Sequence, residues 1–231
     1  MKFKLDNRLL AVAACVPRGA FLADVGTDHA YLPIHLAQMG HLAGAVASDI
    51  NKGPLESAKK NIEEANLSHL IHTELTDGLV GLEKYPLTDV AIAGMGGLMI
   101  ADILKKAPFL HKRGIRLILQ PMQHVPELRQ FLAASGYLIE KETQTVADGK
   151  FYQILCAVHN GTPQELTELE ALLGAYNLAH KYENKENFTL LCRRQLDILG
   201  ERVRGMEKGG RDASAPRALI ERIEAELADL A

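Results

Sequence analysis

Two carboxylates and a histidine crowd the stretch Asp24-Val25-Gly26-Thr27-Asp28-His29, where an apolar run gives way to a helical pattern. At the carboxyl end of the first strand of an open parallel sheet, such residues point into the crevice where ligands bind. A glycine there lets backbone approach the ligand closely. A dinucleotide fingerprint would require GxGxxG, but the second and third glycine positions counted from Gly26 hold Asp28 and Tyr31. A pyrophosphate would face a carboxylate. A cofactor with a positive centre and an ammonium group would be attracted instead, and S-adenosylmethionine has both.

Asp49, in VASDIN, lies about 20 residues beyond the glycine turn, the usual place for an acid that accepts ribose hydroxyls. Asp77-Gly78 follows the third apolar run and could present a carboxylate and a close backbone to an adenine edge. Gly94, Met95, Gly96 and Gly97 close the fourth run with backbone that can pass near a ligand. Each piece has an ordinary structural reading. Asp24 or Asp77 could cap a helix or turn, His29 could be a helix-start or core histidine, and Gly94 to Gly97 could be a tight turn. The ordered series favours a nucleoside-containing cofactor, and the missing pyrophosphate fingerprint favours S-adenosylmethionine over NAD.

The elements that must position these residues alternate in the manner of a parallel sheet wrapped by helices. Strands are predicted at Ala20 to Val25, Gly44 to Asp49, Leu70 to Thr73, Thr88 to Ala93 and Arg116 to Gln120. Helices are predicted at Ala30 to Met39, Pro54 to Ala65, Leu98 to Lys105 and Val125 to Ala134, after a first helix with Leu9, Leu10, Val12 and Ala13 inward. From Tyr137, two extended runs hinge at Ala147-Asp148-Gly149-Lys150, a hairpin signal. Beyond Gly161 two amphipathic helices, with apolar faces at Cys192, Leu196, Leu199, Val203, Met206 and at Ile220, Ile223, Leu227, Leu230, predict an antiparallel pair. The expected fold is α/β, a mostly parallel seven-stranded Rossmann-like sheet ending in an antiparallel hairpin. The expected domains are residues 1–160 and a helical coiled-coil hairpin over 161–231.

The 231 residues carry a net charge of −3, too mild for a chain that binds nucleic acid by bulk electrostatics. Three cysteines, Cys15, Cys156 and Cys192, suggest neither a disulfide framework nor a metal site and fit a reducing cytoplasm. Lys2, Lys4 and the run to Cys15 imitate a lipoprotein signal, but Asp6 in the leader and the short length argue against it. No membrane span is expected.

ADVGTDHAYLP, ASDINKGPLESAKKNI, TDGL, AIAGMGG, LILQPMQ and the ADGKFYQI hairpin together resemble the bacterial tRNA adenine-N1 methyltransferases that modify adenine-22. The likeness runs from about Leu5 to Val158 and, more loosely, into the helical hairpin. It implies a class I methyltransferase fold, S-adenosylmethionine as donor and tRNA as substrate; the tRNA enters by resemblance alone. The expected cofactor-binding residues are Asp24, Gly26, Asp49, Asn51, Asp77, Gly78, Gly94, Met95 and Gly96. Adenine N1 has an in-plane lone pair, so the protein needs chiefly to align it and stabilise charge. Asp28 is the candidate acceptor for the exocyclic amino group, or else it holds the cofactor's ammonium; His29 and Gln120 are candidate positioning groups. Tyr31 and Met95 are candidate platforms for an extruded base, although Tyr31 could equally be a helix-packing aromatic. Lys2, Lys4, Arg8 and Arg18 near the first helix, and Arg193, Arg194, Arg202, Arg204 and Arg211 in the hairpin, are candidates for phosphate contact. The rival readings are methylation of a protein or small molecule, and a nucleotide- or RNA-binding regulator without turnover. Oligomeric state is open, with a monomer as the default.

Overall fold

The structure, a computed structural model, describes residues 4–230, so Lys2 lies outside the described residues. A short helix α1 (Asn7–Ala13) is capped by Asp6, whose carboxylate accepts the Leu9 N–H at 2.7 Å. Val12 and Ala13 are buried as expected, but Leu10 is 40% exposed: the helix presents only a narrow stripe to the sheet. Then follow β1 (Ala20–Val25), α2 (Tyr31–Gln38), β2 (Leu42–Asp49), α3 (Lys52–Glu64), β3 (Ile71–Leu75), β4 (Asp89–Met95), α4 (Gly97–Lys105), α5 (Leu110–Arg113), β5 (Arg116–Pro121), α6 (Val125–Ala134), β6 (Tyr137–Ala147) and β7 (Lys150–His159).

The seven strands form one sheet in the order β3-β2-β1-β4-β5-β7-β6. β1 to β5 are parallel, and β7 is antiparallel to both β5 and β6. Strand order reverses between β1 and β4, the switch point at which an open α/β sheet leaves a crevice. Helices cover both faces, so strand residues such as Leu22, Ala23, Val46, Ala91 and Ile92 have no contact with water. That double burial explains the unalternating apolar runs. The β6–β7 turn places Asp148 at φ 49° and Gly149 at φ 71°, the left-handed pair an Asp-Gly hairpin needs. β3 starts later than the sequence suggested and runs to Leu75, because Leu67 to Leu70 are taken up by a turn in which the Ile71 N–H donates to the Leu67 carbonyl.

Two long helices, α9 (Lys185–Lys208) and α10 (Ser214–Ala228), follow the sheet and build their own apolar core around Leu191, Cys192, Leu199, Leu219 and Ile223. Before them lie two short helices absent from the sequence reading, α7 (Glu168–Leu173) and α8 (Ala175–Ala179). Helices of six and five residues are too short to show a period. α7 is nonetheless opened by a capping box between Thr167 and Glu170.

These helices are fastened to the sheet by Arg129 of α6, which is fully buried. Its guanidinium pairs with Glu142 of β6 at 2.6 and 3.1 Å, donates to Gln153 of β7 at 2.7 Å, and reaches the Ala171 and Leu172 carbonyls of α7 at 2.9 and 3.0 Å. Asn177 of α8 completes the network by donating to Glu142 at 3.0 Å. Cys15 and Cys156, remote in sequence, meet as neighbouring free thiols between α1 and β7. Their hydrogen bond lowers the Cys15 pKa and raises that of Cys156.

Candidate active site

The carboxyl ends of the parallel strands open onto two adjoining hollows that share Gly26 as a wall. The larger, of about 620 Å³, lies over β1 to β4 and brings together Gly26, Asp49, Asp77, Gly78, Met95 and Gly96. Gly26 has φ 75°, and a Cβ on it would fall 2.0 Å from the Met95 methyl carbon. The Met95 side chain could shift from such a Cβ, so it is the left-handed backbone that calls for glycine here. Asp49, on the wall of this cleft, accepts the Asn51 N–H at 2.7 Å through Oδ1, and its Oδ2 makes no hydrogen bond among the described residues. Asp77 is less available than expected, since its Oδ2 is paired with Lys106 at 2.9 Å.

Ser48, fully buried on the same wall, carries a hydroxyl with no partner among the described residues. A buried polar atom left without a hydrogen bond is costly, and this one is sealed behind the wall of the cleft. Sequence reasoning missed it, along with the α4 face formed by Met99, Asp102, Ile103 and Lys106. The spacing of that stripe is helical, and its position just after the glycine turn was the available signal.

The smaller hollow, of about 300 Å³, is acidic and includes Asp24, Thr27, Asp28, His29, Tyr31 and Arg8. Asp24 is 7% exposed. Burial pushes its carboxyl from 3.8 up to about 6, opposed by a hydrogen bond from the Thr27 hydroxyl. That hydroxyl also accepts the N–H of Ala30, a residue at φ 55°, so the turn is built around it. The Asp28 carboxylate lies 3.2 Å from Nε2 of His29, whose ring stacks on Tyr31 with centroids 5.0 Å apart.

Three of the residues expected to bind the cofactor or to act in catalysis lie on neither wall. Asn51 acts on Asp49 through its backbone, as above. Gly94, at φ 83°, donates its N–H to Gln120 at 3.1 Å. Gln120 is fully buried and also accepts from Arg8 at 2.8 Å, so it positions Arg8 and the glycine turn and reaches no open space itself. Arg8 in turn points inward, its guanidinium 5.9 Å from the Tyr152 ring, where a solvent-facing phosphate contact had been expected. Its bond to a buried amide outweighs the polar helix face that the sequence suggested. Lys4, Arg193 and Arg194 are exposed and outside both hollows.

Residues 5–155 match the family described as methyltransferase domain. The tRNA (adenine(22)-N(1))-methyltransferase of Bacillus subtilis is 39% identical over 156 residues, which is 68% of this chain and 66% of that protein. A Streptococcus pneumoniae structure, a putative tRNA (m1A22) methyltransferase in complex with S-adenosyl-L-methionine, is 32% identical with a TM-score of 0.84, covering 97% of this chain and 100% of that one. The chain belongs to the tRNA (adenine-22) methyltransferase family. The structure of the Bacillus subtilis family member TrmK aligns over 99% of this chain and 97% of its own, at 30% identity and a TM-score of 0.78, so the likeness includes the helices after the sheet. Among the described residues no helix is long and apolar enough to cross a membrane, and no group of three or more metal-ligating side chains is placed to hold an ion.

Proposed function

We propose that the protein methylates N1 of adenine-22 in tRNA with S-adenosylmethionine as donor, in the cytoplasm where tRNA is found. The adenosine of the cofactor occupies the larger cleft, and its amino-acid end meets the target base in the acidic hollow. The observation that carries this reading is the pair of carboxylates, Asp24 and Asp28, opening across Gly26 from a cleft that holds Asp49. It is supported by the full-length likeness to a relative solved with S-adenosyl-L-methionine.

The residues fit the cofactor. Asp49 is placed for ribose hydroxyls, and Asp24 for an ammonium that restores its charge. When bound, the cofactor supplies an electrophilic methyl group on a sulfonium. Asp28 accepts from the exocyclic amino group of adenine and stabilises the cation that N-methylation leaves on the ring. His29, against both Asp28 and Tyr31, holds that carboxylate in place, and Tyr31 offers the base a stacking face. No general base is needed, because adenine N1 carries no proton at neutral pH.

Purified tRNA incubated with the protein and donor, then digested to nucleosides, should yield 1-methyladenosine. The same tRNA with guanine in place of adenine-22 should yield none. Methyl transfer only to proteins or small molecules, or cofactor binding without transfer, would overturn the proposal.

A further inference from the structure

A third hollow, of about 340 Å³, lies on the same edge of the sheet, between the loop from β5 to α6 and the helix α9. We propose that it seats a second, unmethylated base of the tRNA, one of the two nucleotides that directly flank adenine-22. The inference rests on the tRNA methylation reading and assigns that substrate a further binding site.

Gln195 of α9 lines this hollow, is only 7% exposed, and makes no side-chain hydrogen bond among the described residues. Its amide is not among the polar atoms sealed from solvent without a partner, so the little surface it keeps can be completed from outside the chain, by water or by a ligand. An amide offers a donor and an acceptor side by side, which matches the edge of a nucleobase. Beside it the Arg194 guanidinium lies over the Phe151 ring at 5.7 Å, a flat cationic surface of the kind on which unstacked RNA bases settle. Met122 and Ile198, both half exposed, supply the apolar remainder. Glu127 also borders the hollow and would repel a phosphate, but it faces His124 at 3.4 Å. A neutral base therefore enters more easily than the backbone.

The hollow adjoins the cofactor cleft across one loop. Gln123 and His124 border both it and the cofactor cleft. Their loop is clamped to the glycine turn by the Met122 N–H donating to Met95 and the Gly97 N–H donating to Gln123, each at 2.8 Å. A Cβ on Gly97 would lie 2.3 Å from the His124 carbonyl oxygen, so the two segments pack closer than any side chain at that position would allow. A base held here is thus one loop away from the cofactor cleft to which adenine-22 must be presented.

The test uses intact tRNA and two tRNAs, each abasic at one nucleotide flanking adenine-22. With the unaltered protein, one abasic tRNA should raise KM about fivefold or more, the scale of one lost base stack. Gln195→Leu and Arg194→Ala should each raise KM for intact tRNA and reduce the further loss caused by that abasic site. Cofactor affinity measured by calorimetry should not change. Gln195→Leu should keep or raise Tm, which a purely structural glutamine would not allow. Arg193→Ala, outside the hollow, should weaken intact and abasic tRNA alike. Indifference of the unaltered protein to both abasic sites, or strictly additive losses in the variants, would overturn the proposal. Absence of methylation on intact tRNA would instead overturn the proposed function.

Discussion

The carboxyl of Asp24 titrates at about 6 in place of 3.8 because burial penalises its charge. The folded state therefore holds a proton that the unfolded chain has already released between those values. Stability falls as pH rises through that window, and the penalty is complete above about pH 6. Asp24→Asn should stabilise the free protein above about pH 6, by at most about 3 kcal/mol, with the difference vanishing below about pH 4. Melting curves across that range check it, and equal stabilities at all pH values would show Asp24 to be unstrained. For the same reason, cofactor affinity of the unaltered protein should weaken about tenfold from about pH 7 to about pH 5, as protonation removes the partner of the ammonium. Asp49→Ala should cost about 1.5–3 kcal/mol of cofactor affinity, the worth of hydrogen bonds to a charged group; an unchanged calorimetric Kd would put the ribose elsewhere. Asp28→Asn should retain the fold and cofactor binding while losing most methyl transfer. If it loses cofactor affinity instead, its carboxylate belongs to the cofactor's ammonium.

Among the elements, α6 matters most to how the two ends of the chain are held. Arg129 directs its guanidinium to Glu142, Gln153 and two carbonyls of α7, so each nitrogen of the fork finds an acceptor inside the protein. Removing one partner of a buried pair leaves the other charged and dry. Arg129→Met should destabilise by about 3–5 kcal/mol in chemical denaturation, and adding Glu142→Leu should recover part of that loss. Equal destabilisation by single and double variants would mean that the carbonyl contacts to α7, and not the ion pair, hold the helices.

At the scale of the whole molecule, that network changes what truncation can test. A cut after His159 would strip α7 and α8 from Arg129 and Glu142, so the shortened sheet should lose stability along with tRNA recognition. Substitution is the cleaner experiment. Arg193, Arg202 and Arg211 are exposed on or just beyond α9, whereas Arg204 is partly neutralised by Glu201 at 2.6 Å. Replacing the first three should weaken tRNA binding and make its dependence on salt shallower, by about 0.9 in log–log slope for each phosphate no longer neutralised. An unaltered slope would place the phosphate-binding groups on the sheet domain.

The succession of strands and longer helices, the Asp-Gly hairpin and the carboxylates at successive strand ends were legible in the sequence, because each is set by local periodicity or by a residue type at a strand terminus. Asp24, Gly26 and Asp49 could be placed before any coordinates for that reason. What tertiary structure alone decided depends on residues far apart in the chain. Gln120, read as a group of the site, proved to be the buried anchor of Arg8, 112 positions away. The Cys15 and Cys156 thiols, Arg129 with α7, and the unpartnered Gln195 carry no local signature either. A side chain's partner across the core is fixed by packing, and packing has no period along the sequence.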